Sequence, residues 1–177
     1  MALSYPKKGF TLIELLVTVT ILAIIALIAT PYFQNLQAKK EASNTAIQLE
    51  GLLRKNRSDA VTYHQDLVMC GSEDGQNCSL TAWNFYLLTY LDQNHNRLLD
   101  SQEHVLSTTP LKLKYGSLNL KVAARRNFIT FKGENGLPQG YMGSFYYCSE
   151  YDTHFDKRIV INMMGNPRTE TLSCLIN

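Results

Sequence analysis

Between Phe10 and Thr30 the chain has 21 residues and a single charge, Glu14. As a helix rising 1.5 Å per residue, that run is about 32 Å long, enough to cross the hydrocarbon core of a bilayer. A carboxylate inside such a run costs roughly 2.5–3.5 kcal/mol near mid-membrane on insertion scales. A cost of that kind marks a function and points to a partner for Glu14 in another molecule. Lys7 and Lys8 lie directly against the run, and no small-residue cleavage site follows it. The N-terminus therefore differs from an ordinary secretory signal.

The rest of the chain must fold beside this segment. Pro31 stands where the apolar run meets more polar sequence, a position that kinks or ends a helix. Beyond it Leu36, Ala42, Ala46, Leu49, Leu53 and Ala60 recur at helical spacing, with Ile47, Leu52 and Val61 widening the stripe. Lys39, Lys40, Glu41, Glu50, Arg54, Lys55 and Arg57 fall on the other face. One long helix is expected from residue 10 to about 63, greasy all round in its first half and amphipathic in its second.

The second half needs a surface to pack on, and the remaining sequence reads as strands. These are Leu67–Cys70, Trp83–Leu91, His104–Ser107, Leu111–Tyr115, Leu118–Ala123, Asn127–Phe131, Ser144–Cys148 and Arg158–Met163. Several alternate apolar and polar residues, as in Leu111, Leu113 and Tyr115 against Lys112 and Lys114. Gly116, Gly133, Gly136, Pro138 and Gly140 mark turns, and 133–140 reads as a long hairpin loop. The fold class is α+β, a long N-terminal helix packed on antiparallel β-sheet. Four segments follow: 1–9 as a leader, 10–30 as a transmembrane helix, 31–63 as its amphipathic continuation and 64–177 as a β-rich domain.

Cys70, Cys78, Cys148 and Cys174 are an even set without a CxxC pair. Disulfides are favoured over zinc, which suits an oxidising compartment. Three pairings exist, and Cys70–Cys78 with Cys148–Cys174 is the favoured one. The first closes a short loop containing Gly71, Asp74 and Gly75, and the second ties the C-terminal end to an internal strand. Net charge is +2 overall, and residues beyond position 9 carry 15 basic and 15 acidic side chains. No global basic field attracts nucleic acid.

The hexapeptide Gly9-Phe10-Thr11-Leu12-Ile13-Glu14 and the apolar helix after it resemble the N-terminus of type IV pilins and pseudopilins. The resemblance implies cleavage after Gly9 by prepilin peptidase on the cytoplasmic face and N-methylation of Phe10. It also implies that Glu14 pairs with a neighbouring subunit's N-terminus during filament assembly. A carboxylate and an ammonium that meet in a low-dielectric bundle offset each other's desolvation. A second resemblance, to the GspH/FimT group, rests on residues 52–61 with Cys70 soon after. It extends to the aromatic strand Trp83–Leu91, the acidic turn Asp92–Glu103, and a terminal strand at Gly165-Asn166-Pro167-Arg168 before Cys174. That group joins the H-type pseudopilin of type II secretion to minor type IV pilins.

The resemblance implies a filament subunit, not an enzyme. Its partners would be other pilins, pseudopilins and minor pilins, prepilin peptidase and inner-membrane lipid, with no cofactor and no small-molecule substrate. Lys39 and Lys40 nearly balance Lys7 and Lys8 in the positive-inside count. The cysteines and the family tip the topology to N-terminus cytoplasmic and C-terminal domain periplasmic.

Two other classes compete. A DNA-binding minor pilin acting in DNA uptake would use Arg125, Arg126 and Arg168, with Lys121, Lys132 and nearby tyrosines. Asn166 stands where a second arginine is expected in such proteins. A calcium module would use Asp92–Glu103, whose oxygens fall at positions 1, 3, 5, 9 and 12. Position 6 is Arg97, not glycine, and the flanks read as strands, so the loop reads first as a polar turn without metal. The histidines form no HExxH, and no GxSxG or P-loop sequence occurs.

Overall fold

The protein is described by a computed structural model covering residues 9–79, 81–123, 126–138 and 140–174. Its elements are α1 (Leu12–Tyr63), β1 (Asp66–Ser72), β2 (Tyr86–Asp92), β3 (Val105–Pro110), β4 (Gly116–Val122), β5 (Phe128–Phe131), β6 (Gly143–Ser149), β7 (Lys157–Ile161) and β8 (Pro167–Thr171). A short 3-10 turn, Thr153–Phe155, precedes β7. The chain divides into two compact units, Met1–Leu36 and Gln37–Asn177, and α1 contributes to both.

In the first unit, α1 starts at Leu12, two residues later than the sequence pattern begins. The reason is a cap: Thr11 Oγ1 accepts the Glu14 N–H at 3.3 Å, and Leu15 N–H donates to Thr11 C=O. Pro31 lies inside α1 and does not end it. It withholds only the N–H that would reach Leu27.

In the second unit, α1 buries Ala38, Ala42, Ala46, Leu49, Leu52, Leu53 and Ala60. Ile47 and Val61, which the spacing assigns to the same stripe, are exposed. The helix ends at Tyr63 on a Schellman closure. Gln65 N–H donates to Ala60 C=O and His64 N–H to Val61 C=O. His64 takes φ +52 at the position where glycine is usual.

All strand pairs are antiparallel, but they form two sheets. One has the order β3-β2-β1-β5 and the other β4-β6-β7-β8. The 133–140 segment is therefore not a hairpin loop. It carries the chain from β5 in the first sheet to β6 in the second. Gly133 is required there, since a Cβ would lie 2.5 Å from Gln65 N.

One core joins the helix to both sheets. Leu67, Met69, Leu87, Leu91, Ile129 and Phe131 come from the first sheet. Leu118, Phe145, Tyr147, Ile159 and Ile161 come from the second. The alternation read in β4 holds: Leu118 and Val122 are buried while Asn119 and Lys121 face out. β1 is buried along its whole length because its other face is covered too. There Val68, Cys70, Leu88 and Tyr90 pack with Leu99 and Phe128.

Leu111–Tyr115 alternates like a strand but is not one. Its N–H groups are taken elsewhere. Leu111 and Lys112 donate to Phe85 C=O, and Leu113 donates to Asn84 C=O. Lys114 and Tyr115 donate to the two carboxylate oxygens of Glu41, at 2.8 and 2.9 Å. Tyr147 Oη also donates to Glu41 Oε1, at 2.8 Å. Glu41, assigned by its spacing to a solvated face, instead holds α1 to the approach to β4 and to β6. Burial and then Glu41 raise the pKa of the Tyr147 hydroxyl, which therefore stays a donor.

Both cysteine pairs are disulfides, Cys70–Cys78 and Cys148–Cys174, each with Cα atoms 5.7 Å apart. Asp74 organises the first loop by accepting from Ser72 Oγ, Gln76 N–H, Asn77 N–H and Asn77 Nδ2. Asp156 fixes the second bridge, accepting Ser149 N–H at 2.8 Å and Cys174 N–H at 2.7 Å.

Two stability outcomes follow. Glu41→Ala leaves three donors without their acceptor and is expected to cost about 3 kcal/mol, against about 1 kcal/mol for Tyr147→Phe. Urea unfolding followed through Trp83, the single tryptophan, measures both. Asp66 supplies the second. Burial pushes its carboxyl up, but hydrogen bonds from Lys132 and Gly133 and the charges of Lys132 and His95 outweigh that and hold it below 3.8. A depressed folded value stabilises the fold above the unfolded value, and the contribution is lost as pH falls through the folded one. Stability should therefore decline from about pH 5 downward, and Asp66→Asn should flatten that part of the pH profile.

Candidate functional site

The first unit presents an apolar surface with one acidic group. Phe10, Leu12, Ile13, Leu15, Leu16, Val17, Val19, Ile21, Leu22, Ile24, Ile25, Leu27 and Ile28 are all exposed. α1 is long and apolar enough here to cross a membrane. Its hydroxyls do not break that surface. Thr18 donates to Leu15 C=O, Thr20 to Val17 C=O and Thr30 to Ala26 C=O, at 2.8, 2.8 and 2.6 Å. Each of these three hydroxyls is satisfied inside the helix, as an apolar solvent requires.

Gly9 and Phe10 precede the helix in an exposed, irregular stretch. Glu14 sits in the first turn of α1, where the helix dipole favours a carboxylate. Thr11-Leu12-Ile13-Glu14 has capping-box spacing, yet only half of the box forms. Among the described residues the Glu14 carboxylate makes no hydrogen bond and no ion pair.

Of the three arginines of the DNA-binding alternative, Arg126 lies beside the first sheet and Arg168 on the second. Arg125 lies outside the described residues. Arg126 Nη1 donates to Tyr141 Oη at 2.8 Å, and its guanidinium stacks on Tyr141 and Phe128 beside the first sheet. Arg168 is on β8 of the second sheet and pairs with Glu170 at 2.6 Å. Lys121 and Arg158 lie over the ring of Tyr146, and Lys132 is tied to Asp66. Tyr141, Phe145 and Tyr147 are buried in the core and offer no stacking platform.

Sequence reasoning missed several anchoring residues. Besides Glu41, Asn56 is fully buried on α1 and donates to Thr89 Oγ1 and Met69 Sδ. Glu50 accepts from Thr169 on β8, and Arg57 donates to Asn166. Glu41, Glu50 and Arg57 fall by spacing on the face opposite the apolar stripe, so no sequence signal marked them as anchors.

Comparison with known proteins agrees with this arrangement. Residues 5–30 match the prokaryotic N-terminal methylation motif. Residues 45–165 match the family described as Type II transport protein GspH. Fimbrial protein EcpB of Eikenella corrodens is 36% identical over 75 residues, which cover 38% of this chain and 47% of that protein. The match thus spans about half the length of that relative. Among solved structures, type IV minor pilin FimU of Pseudomonas aeruginosa superposes with a TM-score of 0.52 at 18% identity. The superposition covers 74% of this chain and 89% of FimU, a likeness of fold. With its methylation motif and a GspH domain over most of its remaining length, the chain belongs to the GspH family of pilin-like proteins.

Proposed function

We propose that this chain is a minor pilin or pseudopilin, a non-enzymatic subunit of a type IV pilus or of a type II secretion pseudopilus. Prepilin peptidase cuts after Gly9, and the new N-terminus at Phe10 is methylated. Residues 10–30 hold the subunit in the inner membrane, with the N-terminus on the cytoplasmic side and the 64–177 domain in the periplasm. During assembly the same residues leave the lipid and enter the filament core.

The observation that carries this reading is the exposed apolar surface of α1 from Leu12 to Ile28, interrupted by one carboxylate that no group among the described residues neutralises. Lipid satisfies the apolar side chains but not Glu14. A bundle of like helices satisfies both, because a neighbour's α-amino group can meet the carboxylate in low dielectric. Membrane insertion and filament entry then use one surface, and Glu14 sets the register. The two disulfides suit an oxidising compartment outside the cytoplasm.

Two experiments test the reading. Glu14→Ala should insert into the inner membrane as well as wild type while its recovery in sheared filaments falls at least tenfold. Equal recovery removes the pairing role. Replacing Gly9 with a bulky residue should leave an uncut, unmethylated precursor in the membrane, visible as a larger species on immunoblots. Normal processing of that variant would place the cleavage elsewhere.

A further inference from the structure

The outer face of the first sheet is only partly covered. Leu99, from the loop joining β2 to β3, packs there with Val68 and Tyr90. Beside it a cavity of about 400 Å³ remains, lined by Val68, Tyr90, Leu98, Leu99, Phe128 and the first disulfide. Two groups in this lining lack a counterpart. Tyr90 is fully buried, and its Oη has no hydrogen-bond partner among the described residues. Burial, and then the carboxylates of Asp92, Glu103 and Asp100, raise its pKa, so it stays a hydroxyl. A buried hydroxyl without a partner is costly.

The other group is Arg97, the one charged side chain that lines the cavity among the described residues. It is exposed and forms no ion pair there. The carboxylates of its own loop are engaged with the loop's donors. Asp92 Oδ2 accepts the Arg97 N–H at 3.1 Å, and Asp100 Oδ2 accepts from Asn94 Nδ2 and Asn96 Nδ2, each at 2.8 Å. Glu103 accepts the N–H groups of Gln93 and Asp100. The cavity therefore suits an apolar body with a polar tip and a carboxylate beside it. A tyrosine next to an acidic residue is such a group.

The chain displays one. Tyr32, Tyr63 and Tyr151 are the exposed tyrosines among the described residues. Of these, Tyr151 alone has carboxylates as sequence neighbours, Glu150 and Asp152. The turn that carries it, just after β6, is firmly built. Ser149 Oγ accepts the N–H groups of Tyr151 and Asp152 at 3.2 and 3.4 Å, and the Tyr151 ring meets the Tyr115 ring edge-on at 5.5 Å. Asp152 is occupied in accepting the His154 N–H at 2.8 Å. Glu150 is exposed and forms no ion pair among the described residues. No residue beyond Phe128 lines the cavity, so a Tyr151 that enters it comes from another molecule.

We propose that the cavity on the outer face of the first sheet receives Tyr151 of a second copy of this chain, whose Glu150 carboxylate meets Arg97 and whose Tyr151 hydroxyl meets Tyr90. The ring fills apolar space, the bare hydroxyl gains a partner, and the two unpaired charges neutralise each other at the rim. Because the two patches differ, the contact joins copies head to tail. It uses no residue of α1, so it stands or falls separately from the cleavage at Gly9 and the pairing of Glu14.

The test uses the full-length chain in native membranes, with photoreactive p-benzoylphenylalanine in place of Leu98 at the cavity rim. Irradiation should give a chain–chain dimer on denaturing gels, with the adduct mapped by mass spectrometry to the Glu150–Asp152 turn. Arg97→Glu and Glu150→Arg, each made alone, place like charges together and should lower the dimer yield roughly fivefold or more. Tyr151→Ala should lower it similarly. The double variant Arg97→Glu with Glu150→Arg restores opposite charges and should recover most of the yield, which a merely misfolded variant would not do. The proposal is overturned by the absence of a dimer, by an adduct on another protein or elsewhere on the chain, by yields that ignore the single charge reversals, or by a double variant no better than either one alone.

Discussion

One stripe on α1 carries the second unit. Ala38, Ala42, Ala46, Leu49, Leu53 and Ala60 lie along it, all nearly inaccessible, and both sheets bury their inner faces in the same core. Four of those six side chains are alanine. Glu41 controls one crossing, capturing the N–H groups of Lys114 and Tyr115 just before β4. Asp66 controls another, accepting from Gly133 and Lys132 just after β5. Both crossings are pinned by a carboxylate placed at the edge of the core, where charge-assisted bonds are stronger than neutral ones.

The same helix meets a different demand before Leu36. There its apolar side chains are exposed and its hydroxyls are turned back onto its own carbonyls. Water is a poor solvent for such a surface, whereas lipid or a bundle of similar helices is a good one. The half-formed capping box sharpens the contrast. Thr11 satisfies the Glu14 N–H, but the Glu14 carboxylate is not recruited to finish the box. Only a charged partner makes that charge affordable in an apolar setting.

Much of this was legible in the sequence. The extent of α1 follows from hydrophobic periodicity, and most strands follow from alternation, since both patterns arise from side-chain geometry alone. The division into two sheets was hidden. The glycines at 133, 136 and 140 fit a hairpin and a sheet-to-sheet crossing equally well, and only the long-range pairing of β5 with β1 and β6 with β4 separates them. Leu111–Tyr115 alternates, but its backbone donors go to Glu41, Asn84 and Phe85. Glu41 itself sits after two lysines and reads as surface charge. Arg126 and Arg168 likewise read as cations facing solvent, and each proves to have a partner within the fold. Such residues are visible only once the elements they bridge are placed.

Family membership and fold place this chain among pilin-like proteins, and the exposed apolar segment with its single carboxylate gives that membership a physical mechanism. The proposed pairing of Glu14 needs a free α-amino group at Phe10 of a neighbouring subunit. Mass spectrometry of the protein recovered from sheared pili or pseudopili tests this most directly. The expected result is a mature chain that begins at Phe10 and carries one added methyl group, with both disulfides intact. Filament-associated protein that still begins at Met1, or that lacks residues of the apolar segment, would contradict it.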